Sequence, residues 1–362
     1  MKPIFTKLPR ITFAVLVVVA LAPAIADQIV IGELSYPRAR VVALEEGVVQ
    51  FRLADGAERI AWLSDIDMLV VDSVAGFANF NEAEQYLNDG SPGKAIVRYE
   101  RALRAGKGFW TDLIASRLVV ACDRAGHIDR AALNFIRVAR GRHTGVSAAA
   151  RIIPCHCPEN RDASVVRAIE HLDTAIVQSG NDVRSLLFRL LRYEVLRSCA
   201  DRRTSAERIA VAGAPIPEEL RCRRVYSIRL EAIKSLLQSG ASSIDLTSVD
   251  RDIADCPESV LPGFLLLKGR ALLETASTRQ QVIRASWPLM RVAIHMPHSA
   301  EAAEALYYAA RALERLGRPD KAIRLLKECL EHQGLDPATR RLALEVVTRL
   351  QPDRAESESN TQ

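Results

Sequence analysis

The chain has 362 residues, 26% charged and 49% hydrophobic, with 49 basic and 44 acidic residues for a net charge of +5. This is the composition of an ordinary soluble chain, long enough for two or three domains that each bury a core. Without the first 26 residues, which hold three basic and no acidic side chains, 46 basic stand against 44 acidic residues, and a net charge of +2 argues against a nucleic-acid binder.

Residues 1–26 pass from Lys2, Lys7 and Arg10 through an apolar run, Ile11 to Leu21, to Ala24-Ile25-Ala26. That order predicts a secretory signal peptide with a small-x-small cleavage site, leaving a mature chain that begins at Asp27. The run falls short of the roughly 20 residues of a spanning helix, and no cysteine stands at the cleavage point to carry a lipid. An uncleaved anchor is the alternative. The expected location is the periplasm or cell envelope.

Residues 27–75 read as a small β module. Short β-rich runs at Gln28–Ile31, Arg40–Leu44, Val48–Leu53, Glu58–Leu63 and Asp67–Val71 are separated by turn signals such as Glu45-Glu46-Gly47 and Ala54-Asp55-Gly56-Ala57. Five strands in so short a span predict a meandering barrel similar to an SH3-like or Sm-like fold. Such a module either binds a peptide or covers the end of the helical array beside it. Phe51 and Trp62 are expected in its core.

From residue 76 the apolar period becomes helical, and a two-helix unit recurs. Gly90 is followed by Ala95, Tyr99 and Ala102; Gly126, thirty-six residues later, by Ala131, Phe135 and Val138; Gly317 by Ala322, Leu326 and Cys329. A glycine that tolerates positive φ closes one helix, a small residue lets the next approach closely, and steps of four and three keep one stripe facing its partner. Each pair leaves an apolar face that a neighbouring pair covers, so the units stack. These segments, with Gly269, Ala285, Leu289, Val292 and Pro297, resemble the tetratricopeptide repeat (TPR) family. The resemblance implies an α-solenoid that binds other proteins on the face of its first helices. It also implies that no cofactor is needed.

Pro154-Cys155-His156-Cys157-Pro158 interrupts the pattern and opens a region, 147–258, of helical pairs with degenerate spacing. Helices are expected at Ala163–Gln178, Val183–Cys199, Ser205–Val211, Glu218–Gln238 and Leu246–Asp255. Residues 259–350 return to clear repeats, with helices at Phe264–Thr275, Gln280–His295, Ala300–Leu316, Pro319–Gln333 and Pro337–Leu350. Asp336-Pro337 is a capping side chain followed by proline at the first helical position. Trp287, Pro297, Ser299, Ala305, Leu306, Tyr307 and Leu313 to Gly317 are similar to the repeats of exported bacterial coordinators of the Tol-Pal kind. Residues 351–362 read as a polar, disordered tail.

Seven cysteines, Cys122, Cys155, Cys157, Cys199, Cys222, Cys256 and Cys329, leave an odd thiol in an oxidising compartment. Cys122 and Cys329 fall on apolar stripes. Cys155 or Cys157 could bridge to Cys199, Cys222 or Cys256. Alternatively, Cys155-His156-Cys157 carries donors suited to zinc or copper. Sequence signatures of hydrolases, metalloproteases, dinucleotide enzymes and phosphate loops are missing, and His295 and His298 flank a helix end, where capping is the default role. The dense arginines from Arg184 to Arg229 are interspersed with Glu194, Asp201, Glu207, Glu218 and Glu219, so the expectation is a salt-bridged helix face, with a groove for an anionic ligand (an acidic peptide, a lipid head group or a cell-wall polymer) as the alternative.

The sequence therefore predicts a mostly α protein: a TPR-like solenoid of antiparallel helix pairs behind a small β-barrel-like module. Its expected function is that of a non-catalytic exported scaffold for envelope or periplasmic proteins, with Asn79, Glu82, Tyr86, Arg117 and Val120 as partner-binding residues. The alternative is an envelope enzyme, or a subunit of one, using the 155–157 loop as a metal or redox site.

Overall fold

The computed structural model describes residues 27–72, 74, 76–157, 162–200, 205–239 and 245–351. The signal-like stretch 1–26, most of the tail and Arg202-Arg203 lie outside them. Five strands come first: β1 (Asp27–Ile31), β2 (Leu34–Glu45), β3 (Val48–Arg52), β4 (Glu58–Trp62) and β5 (Met68–Val70). They form one antiparallel sheet in the order β4-β3-β2-β1-β5. The expected barrel is not there, because β4 and β5 stand at opposite edges of an open sheet. β2 is longer than its sequence pattern suggests. It pairs with β1 through its first half and with β3 through its second, and the pairing shifts across Pro37-Arg38, where Arg38 sits at φ +60. A proline and a left-handed residue break the alternation that marks a strand.

The β5 edge is covered by the first helix, α1 (Ala78–Asn88). Leu69 N–H donates to Glu84 Oε2 at 2.9 Å, Val71 N–H donates to Asn81 Oδ1 at 2.8 Å, and Asn81 Nδ2 donates back to Val71 O at 3.1 Å. Side chains of a helix thus satisfy an edge strand that would otherwise offer itself to another chain. At its far side the sheet meets α5 (Gly145–Arg151), a short helix within the stretch read as a break. Gly47, at φ +82 in the β2–β3 turn, presses on it: a Cβ there would lie 2.3 Å from that of Ala148. Trp62 lies half-buried beneath the Arg151 guanidinium, 3.7 Å from its ring centre, and Phe51 is core.

The helices continue as stacked pairs: α1 with α2 (Pro92–Ala105), then α3 (Phe109–Arg124) with α4 (Ile128–Arg140). Near the C-terminus, α11 (Leu261–Thr275) pairs with α12 (Arg279–His295), α13 (Ala302–Arg315) with α14 (Pro319–Glu331), and α15 (Pro337–Leu350) closes the array. The three turn glycines behave alike. Gly90, Gly126 and Gly317 have φ of +71, +71 and +70, and the residue after each sends its N–H back into the last helical turn: Ser91 to Tyr86 O, His127 to Cys122 O, Arg318 to Leu313 O. This is the Schellman closure, which a left-handed glycine permits. Every small or apolar residue of the three motifs is buried. Gly269 differs: it lies inside α11, where a Cβ would meet Leu289 Cγ of α12 at 2.5 Å. Asp336 caps α15 as its sequence suggests, accepting from the N–H groups of Ala338 and Thr339.

Between these ends lie α6 (Asp162–Ser179), α7 (Val183–Val195), a π-helical turn at Leu196–Ala200, α8 (Ser205–Gly213), α9 (Arg223–Gln238) and α10 (Leu246–Asp255). α5 touches α4, α7 and α9, and its alanines 148, 149 and 150 are buried among them. One continuous apolar core runs from Ile29 in the sheet to Ala232 in α9; smaller clusters carry the packing on to Val346. The sheet and the first nine helices therefore share a core across residues 75 and 146.

Candidate functional site: the α1 face and the loop over α3

Of the expected partner-binding residues, three lie along α1 at steps of three and four. Glu82 is exposed and pairs with Arg98 of α2 at 2.9 Å. Asn79 is half-buried and accepts from the same guanidinium at 3.4 Å. Tyr86 is half-buried, with the Lys94 ammonium 5.6 Å from its ring centre. Val120 is half-buried against the core. Arg117 does not belong with them. It is 5% exposed and its guanidinium is spent internally. Nε and Nη2 donate to the two oxygens of Glu84 at 2.7 Å each, Nη1 to Ile66 O at 2.7 Å and Nη2 to Asp67 O at 2.8 Å. The Tyr99 hydroxyl also donates to Glu84. Although burial works against the charge, Glu84 and Tyr99 hold Arg117 more firmly protonated than usual; burial, then Glu84, pushes the Tyr99 phenol well up. The burial of Arg117 has a physical reason: an arginine in the apolar run Ile114–Val120 stays charged only against a buried carboxylate. The signal for it in the sequence is Glu84 itself, an acid on the apolar stripe Phe80-Ala83-Leu87, which the expected site omits.

The arginines from Arg184 to Arg229 are largely consumed in ion pairs. Arg197 and Arg224 both meet the buried Glu194, Arg192 meets Asp173, Arg221 meets Asp255, and Arg229 meets Asp252. Lining the successive contacts of α11, α13 and α15 is a further ladder, with Arg270 near Glu274 and Glu304 and Arg349 on Glu314. An apolar stripe also faces out on α12, where Ile283, Trp287 and Ile294 are exposed and Trp287 is 69% open.

The loop after α5 is held from below by the last turn of α3. Asp123 Oδ1 accepts the backbone N–H groups of both Cys155 and His156 at 2.8 Å. Its Oδ2 lies 2.7 Å from His156 Nδ1 and 3.8 Å from Cys155 Sγ, and Sγ lies 3.6 Å from Nδ1. Cys157 is not in this cluster; it lines an adjoining cleft of about 650 Å³ with His127, Asp129, His156, Ser164 and Arg167. Burial, then Asp123, pushes the Cys155 thiol up. Nδ1 faces both the carboxylate and the sulfur, so the histidine does not relay between them through its two nitrogens as a base–orienter pair would. Cys122, Cys155, Cys157, Cys222, Cys256 and Cys329 are free thiols, so the loop cysteines are not bridged to the middle block. Cys222 donates to Ala150 O at 3.4 Å and Cys329 to Ala303 O at 3.2 Å. Burial pushes Cys122 up to about 12 and Cys329 up to about 11.

Residues 303–346, from α13 through most of α15, match the tetratricopeptide repeat family. No curated protein matches the chain. The match falls on one of the segments whose glycine and small-residue spacing pointed to that family. It supports a class of helical-repeat proteins whose members act by holding other proteins, and protein partners in general. No helix among the described residues is long and apolar enough to cross a membrane.

Proposed function

We propose that the protein is a non-catalytic adaptor, exported into the bacterial cell envelope, that holds one or more envelope or periplasmic proteins, in the manner of Tol-Pal-type coordinators. The observation that carries the adaptor reading is the repeat match over α13–α15, joined to the stacking of α11, α13 and α15 as successive first helices. The signal-like order of residues 1–26 supports the export part. Asn79, Glu82 and Tyr86 offer a mixed polar and aromatic contact surface on α1; Trp287 offers the kind of aromatic anchor that dominates binding energy where it becomes buried.

Crosslinked copurification of the full chain from its native host tests the proposal. An envelope protein should be recovered. Replacing Asn79, Glu82 and Tyr86 together by alanine, or Trp287 alone, should reduce recovery at least tenfold for one of the two variants, with helicity by circular dichroism unchanged. Failure to recover any protein, together with turnover of an envelope substrate by the purified chain, would overturn the adaptor reading.

A further inference from the structure

We propose that Asp123, Cys155 and His156 form a binding site for a borderline divalent transition-metal ion, with zinc as the expected occupant. The inference is independent of the adaptor reading. Of the set Cys155-His156-Cys157 suggested by sequence it keeps the first two and puts Asp123 of α3 in place of Cys157.

Three different donor atoms, a carboxylate oxygen, a thiol sulfur and an imidazole nitrogen, lie within 4.8 Å of one another. With metal bonds of about 2.0 Å to nitrogen and oxygen and about 2.3 Å to sulfur, tetrahedral geometry places N and O about 3.3 Å apart and sulfur about 3.5 Å from each. The distances found are 2.7 Å for Oδ2 to Nδ1, 3.6 Å for Sγ to Nδ1 and 3.8 Å for Sγ to Oδ2. Two edges of the tetrahedron are thus nearly in place, and the third opens by little more than half an ångström when an ion replaces the hydrogen-bonded proton.

The support behind the donors is also built. Asp123 Oδ1 is held by two backbone N–H groups of the loop, which fixes Oδ2 toward the other ligands, as an outer shell of hydrogen bonds does in metal sites generally. Asp123 itself is 9% exposed, at the end of a sixteen-residue helix, whereas His156 and Cys155 face outward. An ion therefore has a route in. On binding, Sγ loses its proton to solvent and the imidazole carries its one proton on Nε2, leaving Nδ1 free to coordinate. A mixed N, S, O set suits zinc or cobalt better than magnesium or calcium, which take oxygen ligands. Three protein ligands leave one position for water, and His156 also lines the adjoining cleft with His127 and Cys157.

The test uses the full chain, with cobalt(II) alone as a spectroscopic probe and zinc(II) as competitor. One equivalent of cobalt should produce the ultraviolet charge-transfer band of a thiolate ligand and the intense visible bands of a tetrahedral ion, and zinc should bleach both. Cys155→Ser should abolish the charge-transfer band; His156→Ala and Asp123→Asn should weaken binding about tenfold or more. Cys157→Ser should change neither band. Circular dichroism of each variant checks the fold, and His156→Ala, on the exposed side chain, serves if Cys155→Ser or Asp123→Asn disturbs it. A wild-type chain without the thiolate band would overturn the site, as would a band that survives Cys155→Ser or vanishes in Cys157→Ser.

Discussion

Removing the Arg117 guanidinium tests whether sheet and helices are one folded body. Arg117→Met keeps most of the side-chain volume but leaves Glu84, 1% exposed, with only the Leu69 amide and the Tyr99 hydroxyl as partners. It also orphans the carbonyls of Ile66 and Asp67. Breaking a buried ion pair from one side costs about 3–5 kcal/mol, because the remaining charge stays desolvated. The double variant Glu84→Gln, Arg117→Met removes both charges and should cost about 2–3 kcal/mol less than the two single changes added together. Helical arrays open in parts rather than all at once. The assay is therefore hydrogen exchange at the Leu69 amide alongside urea unfolding. Protection at Leu69 should drop in step with the loss of stability. A cost below about 1 kcal/mol for Arg117→Met, or strict additivity in the double variant, refutes the view that this pair clamps the sheet to α1 and α3.

Ala131→Leu places a larger side chain at a fully buried contact of α4 and should destabilise by about 1–3 kcal/mol, as should Gly269→Ala against Leu289; thermal melts that match the parent would refute the helix register. Asp336→Ala should remove about 1 kcal/mol from the stability of α15 at neutral pH, measured by exchange of the Thr339 amide. Hydrogen bonds from Thr339 hold the Asp336 carboxyl below its usual range, so its contribution is present above the ordinary carboxylate value and fades as pH falls through the lowered one. Burial, outweighing Arg229, pushes the Asp252 carboxyl from its ordinary 3.8 up to about 6. Between those values the folded chain binds a proton that the unfolded chain has released, so stability should fall as pH rises through that window. Glu304, raised by burial, acts in the same sense. Asp252→Asn, with urea unfolding measured across the window, should flatten the slope, and an unchanged slope refutes the assignment.

What the sequence reveals is what is local. The turns at Gly90, Gly126 and Gly317 were legible because the glycine, the helix stop and the returning N–H all lie within six residues. The strand core of the sheet was legible from alternation, but Leu34–Ala39 was not, since Pro37 and the bend at Arg38 erase the period. α5 escaped because seven residues with three alanines carry no amphipathic signal; its helix is held by burial against α4, α7 and α9. The site residues show the same division. Asn79, Glu82 and Tyr86 come from helical spacing alone, whereas Arg117 needs Glu84, 33 residues before it, to explain its place. The Cys155-His156 loop likewise stood out by its residue types, but the carboxylate beneath it lies 32 residues upstream of Cys155 in α3.

The question of whether the sheet binds a partner or only covers the array can be put without deleting it. Removing residues 27–72 would strip Arg117 and Glu84 of three backbone partners and uncover the core that runs from Ile29 into α9. Loss of binding in such a deletion would then report unfolding, not contact. The informative surface is the other edge. β4 pairs with β3 on one side only, and Ile60 on it is 60% exposed. A free edge of this kind either recruits a strand or is harmless because charged neighbours, here Glu58 and Arg59, discourage pairing. Ile60→Lys adds a charge at an exposed position and should change stability by no more than about 0.5 kcal/mol. If the sheet is a cap, copurification of the proposed partner is unaffected by Ile60→Lys, while the α1 or Trp287 variants reduce it. If Ile60→Lys alone abolishes recovery with an unchanged melting curve, the sheet edge is the docking site and the cap reading fails.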